Sequence, residues 1–276
     1  MKYSLIDAHV HFWKYNKKRD QWMSDMKVLQ QDYLPEHLLL NLKRNGIDGC
    51  VAVQADQSEI ETRFLVELSK THDLIRGVVG WIDLAADNAS ERLAHFSENP
   101  IIKGYRHIVQ AEPLGFLLRD DFIGGVRLLK NYNYSYDILV YHHQLTDVLE
   151  FVRKLPDQKL VIDHCAKPDI KKQEIADWKK LMEEIATQQN VCCKLSGLFT
   201  EAAWKGWSVG EFYPYLDAVF EIFGVDRLMF GSDWPVILVS GMYVQWKSLL
   251  ENYMQQFSED DRQKIFGLNA IQFYNL

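Results

Sequence analysis

The segment Leu5-Ile6-Asp7-Ala8-His9-Val10 (residues 5–10) is a short, largely apolar run, and His11 follows it directly. Seven more short apolar runs occur along the chain, at residues 49–53, 75–82, 102–109, 136–141, 159–162, 191–195 and 227–230. Continuous apolar runs of this kind are typical of parallel strands that are buried on both faces. The sequence therefore predicts eight strands.

Longer segments with helical periodicity separate these runs. Pro35 and Gly46 mark the two ends of one predicted helix, and Ser58 followed by Glu61 predicts a capping box at the start of the next. Residues 173–189 form another segment with one apolar face. Because strand and helix alternate throughout, we predict an α/β protein with a (β/α)8 TIM barrel, as a single domain over residues 1–276.

The composition favours a small-molecule ligand. The formal net charge is -7, and a nucleic-acid surface would need concentrated lysine and arginine. The four cysteines, two of them adjacent at 192 and 193, do not suggest a disulfide framework. No apolar stretch approaches the ~20 residues of a membrane span. We expect reduced thiols, a cytoplasmic location, and neither a membrane nor a nucleic-acid partner.

Four residues at predicted strand ends could hold a metal ion. His9 and His11 lie two positions apart on the first strand, so both should face the barrel mouth and share one cation. His164 ends the sixth strand, and a buried histidine bonded to a backbone carbonyl is the alternative there. Asp233 follows the eighth strand, where it could bind the metal and accept a proton, or simply cap a helix.

Other strands offer polar groups for substrate. On the fourth strand Arg106 faces the mouth if Lys103 points outward, and its guanidinium suits carbonyl or carboxylate oxygens. Only one of His142 and His143, after the fifth strand, can face inward, and the sequence does not say which. Lys194 on the seventh strand should reach the site, unless it merely extends past the rim.

Two long aromatic insertions follow strands. Residues 12–34 include Trp13, and residues 198–207 include Trp204 and Trp207. Barrel enzymes build their sites from such loops, so these side chains are candidates to cover a sugar ring. Surface loops packed by their own aromatic residues are the alternative.

Taken together, six motifs resemble the amidohydrolase superfamily, and within it the amidohydrolase-2 branch of sugar-lactone hydrolases. They occur in order along the whole chain: Asp7-Ala8-His9-Val10-His11-Phe12-Trp13, Lys103-Gly104-Tyr105-Arg106-His107, Asp163-His164-Cys165-Ala166-Lys167-Pro168, Lys194-Leu195-Ser196-Gly197, Arg227-Leu228-Met229-Phe230-Gly231-Ser232-Asp233-Trp234-Pro235 and Lys264-Ile265-Phe266-Gly267-Leu268-Asn269-Ala270. Each motif alone is weak, but their order at successive strand ends is specific.

The resemblance implies a distorted (β/α)8 barrel that hydrolyses a cyclic ester or amide. Members with similar motifs look like fuconolactonases and rhamnonolactonases, which open aldonolactones of six-carbon deoxy sugars. Superfamily members with two metals carry a modified lysine at the end of strand four, where this chain has Arg106 and His107. The resemblance therefore implies at most one metal, and some members of the branch depend little on metal.

We expect one divalent ion, zinc, held by His9, His11 and Asp233, with His164 or a strand-five histidine nearby. Asp233 would take a proton from the attacking water and return it to the leaving ring oxygen. Arg106, His164 and Lys194 would stabilise the negative charge of the intermediate. The substrate would be a small sugar lactone.

Two other functions fit the same pattern less well. A sister branch of the superfamily decarboxylates unsaturated or aromatic acids with a metal on this scaffold. A binding barrel without chemistry should have lost His9, His11 or Asp233, and all three are present. The oligomeric state is open, and a homo-oligomer is possible.

Overall fold

A computed structural model describes residues 4–276. Eight parallel strands form one sheet in sequence order: β1 Ile6–Val10, β2 Gly49–Val53, β3 Ile75–Gly80, β4 Ile102–His107, β5 Ser135–Ile138, β6 Lys159–Ile162, β7 Val191–Leu195 and β8 Leu228–Phe230. A parallel bridge between Val10 and Trp234 returns the sheet to β1. The backbone N–H of His11 donates to the carbonyl of Trp234 at 2.7 Å. The sheet thus forms the predicted barrel.

Helices follow the strands and cover the outside of the barrel. They are α1 Pro35–Arg44, α2 Glu59–Ser69, α3 Ala89–Phe96, α4 Asp120–Leu128, α5 Leu145–Arg153, α6 Ala176–Ala186, α7 Leu198–Glu201, α8 Tyr213–Phe223, α9 Tyr243–Tyr253, α10 Glu259–Gln263 and α11 Asn269–Tyr274. None of the helices within residues 4–276 has the length and apolar character to cross a lipid bilayer.

Local sequence signals set several helix ends. Helix α1 begins at Pro35 and ends before Gly46, which has a φ of 67°. The Ser58 hydroxyl accepts a hydrogen bond from the Glu61 backbone N–H at 3.2 Å, as an N-cap should. The Glu61 carboxylate instead accepts from the Ala55 N–H at 3.2 Å, so only half of the predicted capping box forms.

Three strands end earlier than the apolar runs predict. β3, β4 and β5 end at Gly80, His107 and Ile138, whereas the runs extend to residues 82, 109 and 141. Several residues beyond these ends remain buried, among them Ile82, Val109 and Val140. An apolar run indicates that its residues are buried, not that they pair in a strand, so the apolar runs extend beyond the ends of the strands.

The last helix closes the barrel at the amino-terminal ends of the strands. Ala270 and Tyr274 of α11 pack in one buried cluster with side chains from the strands, including Val51, Val161 and Met229. The Lys103 ammonium donates to the Asn275 carbonyl at 2.8 Å, so Lys103 points away from the barrel mouth as predicted. This arrangement leaves the carboxyl ends of the strands as the open face.

Candidate active site

β1 brings two histidines to one point at the open face of the barrel. The Nε2 atoms of His9 and His11 lie 3.1 Å apart. The pairing of β1 with β2 shifts register between Asp7 and Val10, next to these residues. The buried Asp7 carboxylate accepts from the backbone N–H groups of His9 and Ser232 at 3.1 and 2.9 Å, which fixes the strand end. Both imidazoles point the same way, as the sequence predicts.

A left-handed turn after β6 presents His164. Residues His164, Cys165, Ala166 and Lys167 have φ values of 55°, 52°, 57° and 46°, and the Lys167 N–H donates to the His164 carbonyl at 2.8 Å. Left-handed backbone costs about 1–2 kcal/mol for each residue other than glycine, so the surrounding packing must impose it. The turn aims both His164 and Lys167 into one cavity.

Gly197 makes room for this turn. It has a φ of 66°, and a Cβ atom built there would lie 2.6 Å from the His164 ring. A side chain at this position would therefore both strain the backbone and push the imidazole aside. The His164 Nδ1 atom lies 2.8 Å from the Ser196 hydroxyl, which holds the ring in place.

Asp233 completes the cluster from the end of β8. Its Oδ1 atom lies 3.3 Å from His11 Nε2, 3.8 Å from His9 Nε2 and 3.9 Å from His164 Nε2. Burial opposes ionisation, but the surrounding histidines, His164 first, hold the pKa of Asp233 below its ordinary value. Asp233 is therefore a carboxylate at neutral pH.

Two of the histidines around it, His9 and His164, favour the neutral form. Burial lowers the pKa of His164 to about 4 and that of His9 well below its ordinary value. His11 Nδ1 lies 2.7 Å from the Val53 carbonyl, which can only accept, so Nδ1 carries a proton and Nε2 is the nitrogen turned toward Asp233. Arg106 Nη1, which can only donate, lies 3.2 Å from His9 Nε2, and this nitrogen can accept when Nδ1 keeps its proton beside Asp163 Oδ1 at 3.3 Å.

These groups fit a divalent metal ion. Tetrahedral ligands about 2.1 Å from a zinc ion lie roughly 3.4 Å from one another. The observed separations from Asp233 Oδ1 to the three imidazoles range from 3.3 to 3.9 Å, and ligand atoms of His9, His164 and Asp233 all lie within 4.8 Å of one another. Neutral imidazoles beside an ionised carboxylate are also the donor set that such an ion requires.

A buried network of charges lies beneath the cluster. Lys194 Nζ lies 2.6 Å from Asp137 Oδ2 and 2.9 Å from Asp163 Oδ1, and Arg106 Nη1 donates to Asp163 Oδ2 at 3.0 Å. The Tyr274 hydroxyl donates to Asp137 Oδ2 at 2.7 Å. Burial disfavours the ionised form of Asp163, but the charge of Lys194 outweighs this effect and holds the pKa of Asp163 well below its ordinary value. Two cations thus face two carboxylates inside the barrel.

This network changes the roles expected of Arg106 and Lys194. Lys194 is fully buried and paired below the cavity, so it does not reach a substrate. Arg106 lines the cavity, but Nη1 donates to Asp163 and Nη2 to the Gln54 carbonyl. Its charge faces the cavity while both terminal nitrogens bind protein groups.

Sequence reasoning missed Asp137 and Asp163 as functional residues. Asp137 stands inside an apolar strand, and Asp163 stands directly before His164, at the end of another. A charged side chain in a run that is otherwise buried must find a partner, because an unpaired buried charge is too costly. That signal, together with Lys194 inside a third apolar run, could have predicted the network.

The strand-five histidines lie outside the cluster. His142 Nδ1 lies 2.9 Å from the Lys167 carbonyl, and exposed His143 stacks on Tyr141 with ring centroids 5.7 Å apart. Because β5 ends at Ile138, both residues belong to the turn that follows the strand. His142 is therefore the one nearer the site, where it supports the turn that carries Lys167.

The aromatic loops pack mostly on themselves. Trp13 is buried, and its indole N–H donates to the Gln31 carbonyl at 2.9 Å. Trp207 stacks on Phe199 with ring centroids 4.3 Å apart, and Trp204 donates to the Thr200 carbonyl. None of these three tryptophans lines the cavity. Its tryptophan is Trp22, from the loop after β1.

The cavity at the open face has a volume of about 290 Å³, near the lower limit of about 300 Å³ for small-molecule pockets. Its polar wall is formed by His11, Gln57, Arg106, Gln110, His164, Lys167 and Asp233, and its apolar wall by Trp22, Ala55, Ile108, Ala111, Leu139 and Val236. A larger cleft of about 610 Å³ lies at the opposite end of the barrel, beside α11, and contains none of the candidate site residues.

Known proteins share this architecture over its full length. The chain is 37% identical to an L-fucono-1,5-lactonase of Burkholderia multivorans, over 98% of this chain and 96% of that protein. A crystal structure of an amidohydrolase from Burkholderia multivorans with bound Zn superposes with a TM-score of 0.96, at 37% identity and 99% coverage of both chains. A dihydroxybenzoic acid decarboxylase from Polaromonas with bound manganese, at 14% identity, a TM-score of 0.69 and 98% or more of each chain covered, shares only the fold.

The amidohydrolase family model matches residues 6–276. This match spans all eight strands and every residue of the cluster around Asp233. Together with the full-length relative above, it shows that the chain belongs to the amidohydrolase family.

Proposed function

We propose that this protein is a lactonase that opens a sugar-derived aldonolactone, such as L-fucono-1,5-lactone, by attack of water. The observation that carries the proposal is the Asp233 carboxylate, held among three histidines at the floor of a small cavity. The relative that is 37% identical over nearly the whole chain is an L-fucono-1,5-lactonase, which supports this substrate class.

Asp233 is the proton acceptor in this proposal. Because it is ionised and buried, it can orient a water molecule in the cavity and take its proton as the oxygen attacks the lactone carbonyl. The bond from the carbonyl carbon to the ring oxygen then breaks. Asp233 returns the proton to that oxygen, which leaves as a hydroxyl group of the open-chain acid.

Arg106 stabilises the intermediate through its charge. Its guanidinium lines the cavity, and Asp163, its partner, also pairs with Lys194. The guanidinium thus presents its positive charge at the cavity wall, where negative charge develops on the carbonyl oxygen. Asp163 and Lys194 act through Arg106 and His9, whose positions they fix.

We also propose one zinc ion, held by His9, His11, His164 and Asp233. When bound, such an ion would polarise the lactone carbonyl and favour ionisation of water. Metal content of the purified protein, measured by mass spectrometry before and after dialysis against a chelator, tests the site directly. We expect about one zinc ion per chain in the wild type, and substantially less in an H9A/H11A variant of the same fold.

Replacing Asp233 tests the function. In a pH-indicator assay with L-fucono-1,5-lactone, we expect Asp233→Asn to lower kcat/KM by about 10²- to 10⁴-fold, because proton transfer is lost. Asp226→Asn is the matched control, since Asp226 is largely exposed and pairs with Lys264 on the outside. A D233N enzyme with wild-type rates would refute the proposed mechanism.

The decarboxylase alternative has weaker support, because the decarboxylase that resembles this chain shares the fold at 14% identity. Release of carbon dioxide from dihydroxybenzoic acids, with no hydrolysis of any aldonolactone, would favour it over a lactonase.

A further inference from the structure

Lys167 places a positive charge in the cavity that the mechanism above does not use. Its side chain lines the cavity together with His164 and Asp233. Among residues 4–276, no acceptor lies within hydrogen-bond distance of its ammonium group, whereas both terminal nitrogens of Arg106 bind protein groups. The Tyr141 ring, with its centroid 5.1 Å from Nζ, supports the ammonium from one side.

Glu201 lies close to this ammonium, in the helix that follows the neighbouring strand of the sheet. It ends α7, which follows β7, and its Oε1 atom lies 3.8 Å from Lys167 Nζ. Both side chains are mostly buried but retain 14% and 16% exposure, so solvent reaches each of them. Burial raises the pKa of Glu201, and the Thr200 hydroxyl lies 3.3 Å from its Oε1.

The distance between Lys167 Nζ and Glu201 Oε1 suits a bridging hydroxyl group. A gap of 3.8 Å is too long for a direct hydrogen bond, yet a hydroxyl oxygen about 2.8 Å from each atom fits between them. A hydroxyl group can accept from the ammonium and donate to the carboxylate at the same time. Neither group alone offers this pairing, and among the residues from 4 onward the cavity lining has no second ammonium.

We propose that Lys167 and Glu201 together bind one ring hydroxyl of the lactone, and so make the enzyme select polyhydroxylated lactones. This proposal rests on the lactonase function and names its specificity residues. The left-handed turn has a role in it, because it aims Lys167 and His164 into the same cavity. One four-residue segment then supplies Lys167 to substrate recognition and His164 to the chemical site.

Two substrates separate recognition from chemistry. L-fucono-1,5-lactone has ring hydroxyls, whereas δ-hexanolactone has the same six-membered ring and a methyl group but no hydroxyl. For Lys167→Met and Glu201→Gln we expect kcat/KM on the hydroxylated lactone to fall about 10- to 100-fold. On δ-hexanolactone we expect less than about a twofold change, since the lost hydrogen bonds have no partner there.

Two control variants separate the role of Lys167 from a general loss of positive charge. Lys172→Met removes a charge from an exposed lysine that pairs with Asp169 in the loop after β6, and should change neither rate. Lys167→Arg should restore part of the loss on the hydroxylated lactone, because it retains a donor. Circular dichroism and thermal unfolding of each variant establish that the fold is intact, and rates without enzyme are subtracted for both lactones.

Each other outcome overturns the proposal. Equal losses on both lactones would place Lys167 and Glu201 in the chemistry or the architecture rather than in hydroxyl recognition. Unchanged rates on both would show that the pair does not contact the substrate. If the wild type opens neither these lactones nor any other aldonolactone, the lactonase function itself is wrong and this inference falls with it.

Discussion

At the scale of single residues, Lys194 is the side chain with the largest expected effect on stability, although it does not line the cavity. Lys194 is fully buried, and its ammonium lies within 3 Å of two carboxylates, those of Asp137 and Asp163. Its removal would leave both carboxylates with too few cations in a medium of low dielectric constant. The residue therefore stabilises the barrel and, through Asp163, holds His9 and Arg106 in place.

We expect Lys194→Met to lower the free energy of unfolding by about 3–5 kcal/mol, the usual effect of breaking a buried ion pair. Urea unfolding followed by tryptophan fluorescence measures it. Adding Asp137→Asn should recover part of the loss, because one of the two stranded carboxylates becomes neutral. The control is K70M, which removes exposed Lys70 from its pair with Glu67 on α2 and should change the free energy of unfolding little. An equally small effect of K194M would contradict the buried network.

The sequence predicts the cluster residues better than it predicts their roles. Strand alternation is enough to bring His9 and His11 together, and strand ends are enough for His164 and Asp233. Which charged groups come close to Arg106 and Lys194 depends on the register between neighbouring strands, such as the register that places Arg106 opposite Asp137. Register between strands that are distant in sequence cannot be obtained from one strand's pattern.

At the scale of secondary structure, α2 carries a buried acid close to the open face. Glu61 is 3% exposed in the first turn of the helix, and burial raises its pKa from 4.5 to about 7. Its Oε1 accepts from Ala55, one of the cavity residues. Since the fold disfavours the ionised form, the stability of the protein falls as pH rises from about 4.5 through 7.

Glu61→Gln keeps the acceptor for the Ala55 N–H but cannot ionise. We therefore expect E61Q to gain stability over the wild type between pH 5 and pH 8, by on the order of 1–3 kcal/mol. Thermal unfolding of both proteins at the two pH values gives the difference. Glu67→Gln, at a largely exposed position of the same helix, is the control; a difference that does not vary with pH in E61Q would contradict the expectation.

Elements with local signals were predictable, whereas the turn after β6 was not. The segment over residues 173–189 predicts a helix, and α6 occupies Ala176–Ala186 with Trp178, Met182 and Ile185 buried as expected. By contrast, Ala166 and Lys167 have no preference for positive φ, and the turn contains no glycine. Tertiary packing, including the space left by Gly197, imposes that conformation.

At the scale of the whole molecule, α11 completes the barrel from the end opposite to the cavity. Tyr274 binds Asp137, and Ala270 packs against strand residues in the interior. The eight-stranded barrel itself follows from the count of apolar runs. The single domain over residues 1–276, a homo-oligomer and a cytoplasmic location stay predictions.

Deletion of residues 269–276 should therefore destabilise the entire barrel rather than one end of it. We expect loss of the cooperative thermal transition and of near-ultraviolet circular dichroism, because apolar interior surface becomes exposed and Asp137 loses a donor. Gln272→Ala, at an exposed position of α11, should leave both signals unchanged. A truncated chain that unfolds cooperatively at the wild-type temperature would show that α11 is dispensable.

The chain of contacts from Tyr274 through Asp137 and Lys194 to His9 joins the helix that closes one end of the barrel to a histidine at its open face. Docking of α11 and assembly of the open face are therefore parts of one cooperative folding step, because Asp137 has its full set of donors only when Lys194 and Tyr274 are both in place.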